Sequence, residues 1–353
     1  MSEATLNIDY DHAILELLRE LNCSIVFSTY QAGKLLVLGH DETKLTQIPF
    51  SFRKPMGIAI DGAKLAVATI SSIEFLSNKE NVVDTMNSNP HGFDTFYIHR
   101  ATYNTSNLDI HDIDFGKGQL WGVNTAFSCL CVFDVNYNFV PKWKPDFISQ
   151  LVPEDRCHLN GMAMENDLPK YATALSSTDY KDGWRKDIMN SGILMEVPSS
   201  DIICDGLAMP HSPRIIEGDL YVLESGTGKL IKIDRETGNK ELIENFGVFV
   251  RGMSFYKGFL FIGKSKIREE SKTFNYLEVK EKSTKAGLIV YDLNARSIVG
   301  ELDYLDTIDE IFDVQVIPDY KKPALISEGN EMSKKIITYE GGVFWRKSKK
   351  ETD

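Results

Sequence analysis

A unit that repeats along the chain constrains this sequence more than anything else in it. Its clearest copy runs from Gly206 to Asp234, GLAMPHSPRIIEGDLYVLESGTGKLIKID. Alternating side chains at 212–216 reach a turn at Glu217-Gly218-Asp219. A mostly apolar run at 220–224 follows, and Ser225-Gly226-Thr227-Gly228 turns the chain into a third alternating run at 229–234. Period-two patterning punctuated by glycine turns predicts a β-meander. Related units on both sides turn one meander into a ring of them.

Inner strands of further units are expected from Met56-Gly57-Ile58, His111-Asp112-Ile113, Asn160-Gly161-Met162 and Arg251-Gly252-Met253. Residues 24–50 supply three strands with no inner strand before them, and residues 311–316 supply an inner strand with nothing after it. Joined, they complete a blade and leave no sheet edge open. The predicted fold is all-β: a six-bladed β-propeller closed by N-terminal strands on a C-terminal inner strand. A short amphipathic helix at 11–21 packs outside it, with Ile14, Leu15, Leu17, Leu18 and Leu21 on one face. The expected organisation is helix 1–22, propeller 23–328, and extension and tail 329–353, with a packed stub near Val343-Phe344-Trp345. Aligning the inner strands places Met56, His111, Asn160, Ser212, Arg251 and Phe312 at one equivalent position. The 78–94 connection reads as a surface loop or lid, and 178–190 and 267–285 as insertions between second and third strands.

A formal net charge of −12 argues against a nucleic-acid or anionic-membrane surface. No signal segment and no apolar run of membrane-spanning length is seen, and five cysteines without a CxxC pair fit reduced thiols. The location expected from this is cytoplasmic. Ser225-Gly226-Thr227-Gly228 precedes a strand rather than a helix, so it reads as a hairpin turn and not a phosphate loop.

Inner-strand starts surround a propeller's channel, so polar residues there converge. One set is His111, Asp112, His158, Asn160, His211, Ser212, Arg214, Arg251, Glu310 and Asp313. Two readings stand for His111, His158 and His211: ligands to a divalent metal ion, or hydrogen-bonded channel filling. A second set is cationic, Arg156, Arg185, Arg214, Arg251, Lys264 and Arg268, and either binds an anion or pairs with neighbouring carboxylates. Trp184 offers a stacking face or a lid that packs down.

The runs PEDRCHLNGMAM (153–164), GWR (183–185), MPHSPR (209–214), ESGTGKL (224–230), RGMSF (251–255), GKSKIRE (263–269) and EIFDVQVIP (310–318) resemble the signature segments of a family of conserved hypothetical bacterial proteins, a domain of unknown function expected to be a β-propeller. The resemblance spans roughly residues 20–320 and implies the fold and the site, not a reaction. It singles out Asp155, Arg156, His158, Asn160, Gly183, Trp184, Arg185, His211, Ser212, Arg214, Gly226, Arg251, Lys264, Arg268, Glu269, Glu310 and Asp313, with Glu224 standing where Asp is expected. More distantly the architecture is similar to the six-bladed gluconolactonase, paraoxonase and strictosidine-synthase group, whose ordered calcium-ligand pattern is not evident here.

The resulting expectation is an anionic small molecule bound at one end of the channel by Arg156, Asn160, Trp184, Arg185, Ser212, Arg214, Arg251, Lys264 and Arg268. His158, His211, Glu310 and Asp313 would be the catalytic groups of a lyase, epimerase or hydrolase. The alternative is a non-catalytic propeller that binds a ligand or a protein partner.

Overall fold

The computed structural model describes residues 6–79, 82–86, 89, 91–267, 274 and 276–346. Six antiparallel sheets form the blades, numbered here by the order of their second strands. Their inner strands are Asp313–Pro318 (blade 1), Ile58–Asp61 (blade 2), Ile110–Gly116 (blade 3), Leu159–Glu165 (blade 4), Pro210–Ile216 (blade 5) and Val250–Tyr256 (blade 6). Each inner strand contacts the next and the sixth contacts the first, so they form a ring around a channel. In blade 1 the inner strand pairs with Cys23–Thr29, Ile25 opposite Val316 and Phe27 opposite Val314. Chain ends nearly three hundred residues apart therefore share one sheet.

Strands in this ring are covered on both faces, so they read as nearly continuous apolar runs. In blade 1, Ile25, Phe27, Leu36 and Leu38 face blade 6, and the alternate residues Val26, Leu35 and Val37 face blade 2. The helix His12–Leu21 buries Ile14, Leu15, Leu17, Leu18 and Leu21 against the seam between blades 6 and 1. Its stop is local: Asn22 takes the left-handed conformation, and its N–H returns to the Arg19 carbonyl.

Two edges carry strands that the meander pattern did not reveal. Ile8–Tyr10 adds antiparallel to the outer strand of blade 6, and Pro323–Ile326 adds parallel to the outer strand of blade 2. Both cover backbone groups that an outer strand would leave unpaired. The stub expected near Val343 is a hairpin, Ile336–Tyr339 with Gly342–Trp345. Trp345 packs in a cluster with Val83 and Phe96, and its indole N–H donates to Thr85 Oγ1 at 2.5 Å.

The 78–94 connection joins the third and fourth strands of blade 2. In an up-and-down blade such a loop lies at the end opposite the inner-strand starts, so it does not act as a lid over them. The insertions at 178–190 and 267–285 do lie at that end. Trp184 and Ile188 of one and Ile267, Leu277 and Val279 of the other pack together with Leu175, Met209 and Phe249, so blades 4 and 6 share a roof across the start of blade 5.

Candidate functional site

The ring is built from two layers of side chains at the inner-strand starts. The upper layer is Met56, His111, Asn160, His211, Arg251 and Phe312. His211, not Ser212, is the equivalent of His111. Both imidazoles donate from Nδ1 to the carbonyl two residues earlier, at 3.2 Å to Asp109 and 3.0 Å to Met209. The one-residue slip arises from a bulge: the blade 5 register shifts between His211 and Arg214, and Ser212 has φ of 49°.

The next layer alternates glycine with a short polar residue: Gly57, Asp112, Gly161, Ser212, Gly252, Asp313. Each polar member accepts an N–H from the following blade. Asp313 Oδ2 accepts from Ile58 (2.8 Å), Asp112 Oδ2 from Met162 (3.1 Å), and Ser212 Oγ from Gly252 (3.1 Å). The glycines allow the strands to approach this closely. A Cβ on Gly252, whose φ is +77°, would lie 2.7 Å from the Asp313 Cα, and one on Gly57 would lie 3.0 Å from the Asp112 Cα. Lower still, Arg214 donates to Asp112 Oδ2 (3.2 Å) and to the Met162 and Pro213 carbonyls (3.1 and 2.9 Å). Burial opposes its charge, but Asp112, Asp313 and Asp114 outweigh that and raise its pKa. Burial pushes the carboxyls of Asp313 and Asp114 up, to about 7 and about 6.

Above these layers lies a cavity of about 130 Å³. His158, His211, Arg251 and Glu310 form its polar side, with Gln31, Ser265, Lys266 and Asp309 around them. Leu175, Trp184, Met209, Phe249, Ile267 and Phe274 form its apolar side. His211 Nδ1–H also donates to Ser225 Oγ (3.0 Å), whose own proton goes to the Val250 carbonyl (2.6 Å). Thr125 holds His111 in the same way and donates to the Leu159 carbonyl. With the proton fixed on Nδ1, each ring keeps an unprotonated Nε2. Burial, helped by Arg251, lowers the His211 pKa well below its usual value, and burial lowers that of His111 to about 4.

His158 is oriented differently. Its Nδ1 lies 2.9 Å from Asp155 Oδ2, and the Trp184 indole N–H donates to the same oxygen at 2.8 Å. One carboxylate thus fixes both an imidazole and the aromatic ring 4.2 Å from it. Asp155 and His158 both have positive φ, 46° and 52°.

Arg251 differs from every other buried cation in the channel. Its guanidinium lies over the Phe312 ring, 3.4 Å from the centroid, and its closest carboxylate oxygen is Glu310 Oε1 at 3.9 Å. Among the described residues its side chain has no hydrogen-bond acceptor. Burial lowers its pKa, partly offset by Glu310.

The structure thus gathers His158, His211, Glu310, Trp184 and Arg251 at one cavity and places other candidates elsewhere. Asp313, Ser212 and Arg214 lie deeper, in the blade-to-blade contacts. Asn160 bridges to the Pro210 carbonyl and to Thr173. Arg156 pairs with Glu154 (2.8 Å) and Asp179 (2.6 Å), pinning the blade 4 insertion. Arg185 stacks on Trp184 from outside the cavity, and Lys264 pairs with Glu301 and Asp303 on the outer strand of blade 6. Arg268 and Glu269 lie outside the described residues. His111 and His158 are in edge contact, with centroids 4.8 Å apart. Among the described residues no three His, Cys, Asp or Glu side chains are grouped to hold a metal ion. Sequence reasoning missed Lys266, Asp309 and the apolar lining. Phe249 and Met209 carried a usable signal, since each stands two residues before a cavity-lining Arg251 or His211.

The ring of meanders, its closure and its lined channel define a six-bladed β-propeller with a roofed cavity at one end. The chain belongs to the family described as Domain of unknown function (DUF4915), whose profile matches residues 12–326. No curated protein matches it. Among solved structures, the chain is similar to one titled "Crystal structure of Nidogen/Laminin Complex", with 12% identity, 84% of this chain and 99% of that one covered, and a TM-score of 0.53. It is also similar to a protein of unknown function from Bacteroides caccae, with 8% identity, 84% and 98% coverage, and a TM-score of 0.52. At these identities the likeness shows the fold alone. No helix among the described residues is long and apolar enough to cross a membrane.

Proposed function

We propose that the upper cavity binds a small anionic molecule through Arg251 and that His158 acts on it as the acid–base group. The observation that carries this reading is the Arg251 guanidinium, largely buried and, among the described residues, without a hydrogen-bond acceptor. A buried cation with unused donors is costly unless a ligand completes it. His158, backed by Asp155, offers Nε2 to a bound molecule in the manner of a carboxylate-oriented general base. His211 Nε2 is an acceptor for a ligand hydroxyl or amine. Proton removal in an epimerase or lyase, or activation of water in a hydrolase, is compatible with this pair. The cysteines are all free and buried, which fits a reducing cytoplasm.

The test is a thermal-shift screen of carboxylated, phosphorylated and sulfated metabolites against the wild type and Arg251→Met. Anions that raise the Tm of the wild type only are expected. No anion response, or an equal response in both proteins, would remove the reading. A binding propeller without turnover is the second reading, favoured because the apolar lining and Arg251 offer contacts to a ligand whether or not His158 acts on it. It predicts that a ligand found in the screen is recovered unchanged from the wild type. The catalytic reading predicts conversion that His158→Gln abolishes while binding persists.

A further inference from the structure

The charge and surface of the cavity narrow the ligand further than "anion". Its lining carries two cations, Arg251 and Lys266, and two carboxylates, Asp309 and Glu310, with Lys266 Nζ 3.7 Å from Asp309 Oδ1. Among the described lining residues these charges are equal in number, and the imidazole of His211 adds none because burial keeps it neutral. A single negative charge at Arg251 is what the guanidinium fork can satisfy, by two parallel hydrogen bonds to a planar carboxylate.

The other half of the lining is apolar. Trp184, Ile267 and Phe274 come down from the two insertions, and Phe249 closes the gap beside Arg251. A purely polar ligand would leave these side chains in contact with water or with unpaired polar atoms.

We propose that the ligand is a monocarboxylate with a compact apolar body, aromatic or branched. Its carboxylate lies on Arg251 and its body lies under Trp184 and Phe274. The inference rests on the reading of the cavity as an anion site and names the class of anion.

Benzoate, phenylacetate and 4-methylpentanoate serve as probes, with benzamide as the uncharged counterpart of benzoate and inorganic phosphate as the polar anion. Titration is followed by isothermal calorimetry on the full chain. At least one of the three carboxylates is expected to bind at least 10-fold more tightly than phosphate. Benzamide is expected to bind at least 10-fold more weakly than benzoate, and Arg251→Met to lose carboxylate binding. If phosphate binds through Arg251 and the three carboxylates do not, this inference fails while the anion site stands. Carboxylate binding that survives Arg251→Met, or that benzamide equals, also overturns it. If no probe binds and the wider screen shows no anion response dependent on Arg251, both proposals fall.

Discussion

Arg214 and Arg251 stand on neighbouring inner strands, both largely buried, and the protein treats them oppositely. Arg214 is surrounded by carboxylates and spends its donors on Asp112 and two carbonyls. Arg251 rests on an aromatic face with its one partner carboxylate beyond hydrogen-bonding distance. The lower site is a closed ionic network that joins blades. The upper one is left incomplete beneath a roof made by two insertions. Residue type alone does not separate the two regions; what separates them is whether the fold supplies the guanidinium with hydrogen-bond acceptors.

Removing each cation should separate the two regions most strongly. Arg214→Met leaves the buried carboxylates Asp112 and Asp313 without their neighbouring cation and is expected to lower stability by about 3–5 kcal/mol in urea unfolding. Arg251→Met loses a cation–π contact but also a desolvated charge, so its stability should change by at most about 1 kcal/mol. Equal costs would erase the distinction.

The pH dependence of stability sharpens the same contrast with smaller effects. Asp313 has a native pKa raised to about 7 from an ordinary 3.8, so between those values the native state holds a proton that the unfolded chain has lost. Its contribution to stability therefore falls as pH rises through that window. The stability lost in Asp313→Asn should shrink or reverse from pH 4 to pH 7, by on the order of 1–3 kcal/mol. His111, lowered to about 4 from 6.5, has the opposite sign: its contribution grows as pH rises from 4 to 6.5. His111→Asn should flatten that rise, and parallel pH profiles for wild type and both variants would refute the assignment.

The smallest effect is expected from the hydroxyls that orient the imidazoles. Ser225→Ala removes the bond to the Val250 carbonyl and the acceptor for His211, at a cost of about 1 kcal/mol. It should also weaken ligand binding by releasing the His211 ring. Unaltered affinity would mean that His211 takes no part in the site.

Much of the ring was legible because it is written as a period. Alternation and glycine turns marked the blades, and the unmatched strands at 24–50 and 311–316 implied the pairing seen between Cys23–Thr29 and Asp313–Pro318. The covering strands Ile8–Tyr10 and Pro323–Ile326 were not legible, since three or four residues carry too little pattern to name a partner. The inner-strand alignment failed at His211 because a bulge adds a residue without changing the apolar pattern around it.

By itself, then, the sequence determined which residues surround the channel, since a two-residue period and its turns are local properties of the chain. Only the tertiary structure decided which of those polar residues are spent and which are available. That depends on where the next blade presents its N–H groups and carbonyls, as Asp313 meeting Ile58 and Arg214 meeting Asp112 show. It depends equally on two insertions, distant in sequence, meeting above Arg251, whose closest carboxylate oxygen stays beyond hydrogen-bonding distance.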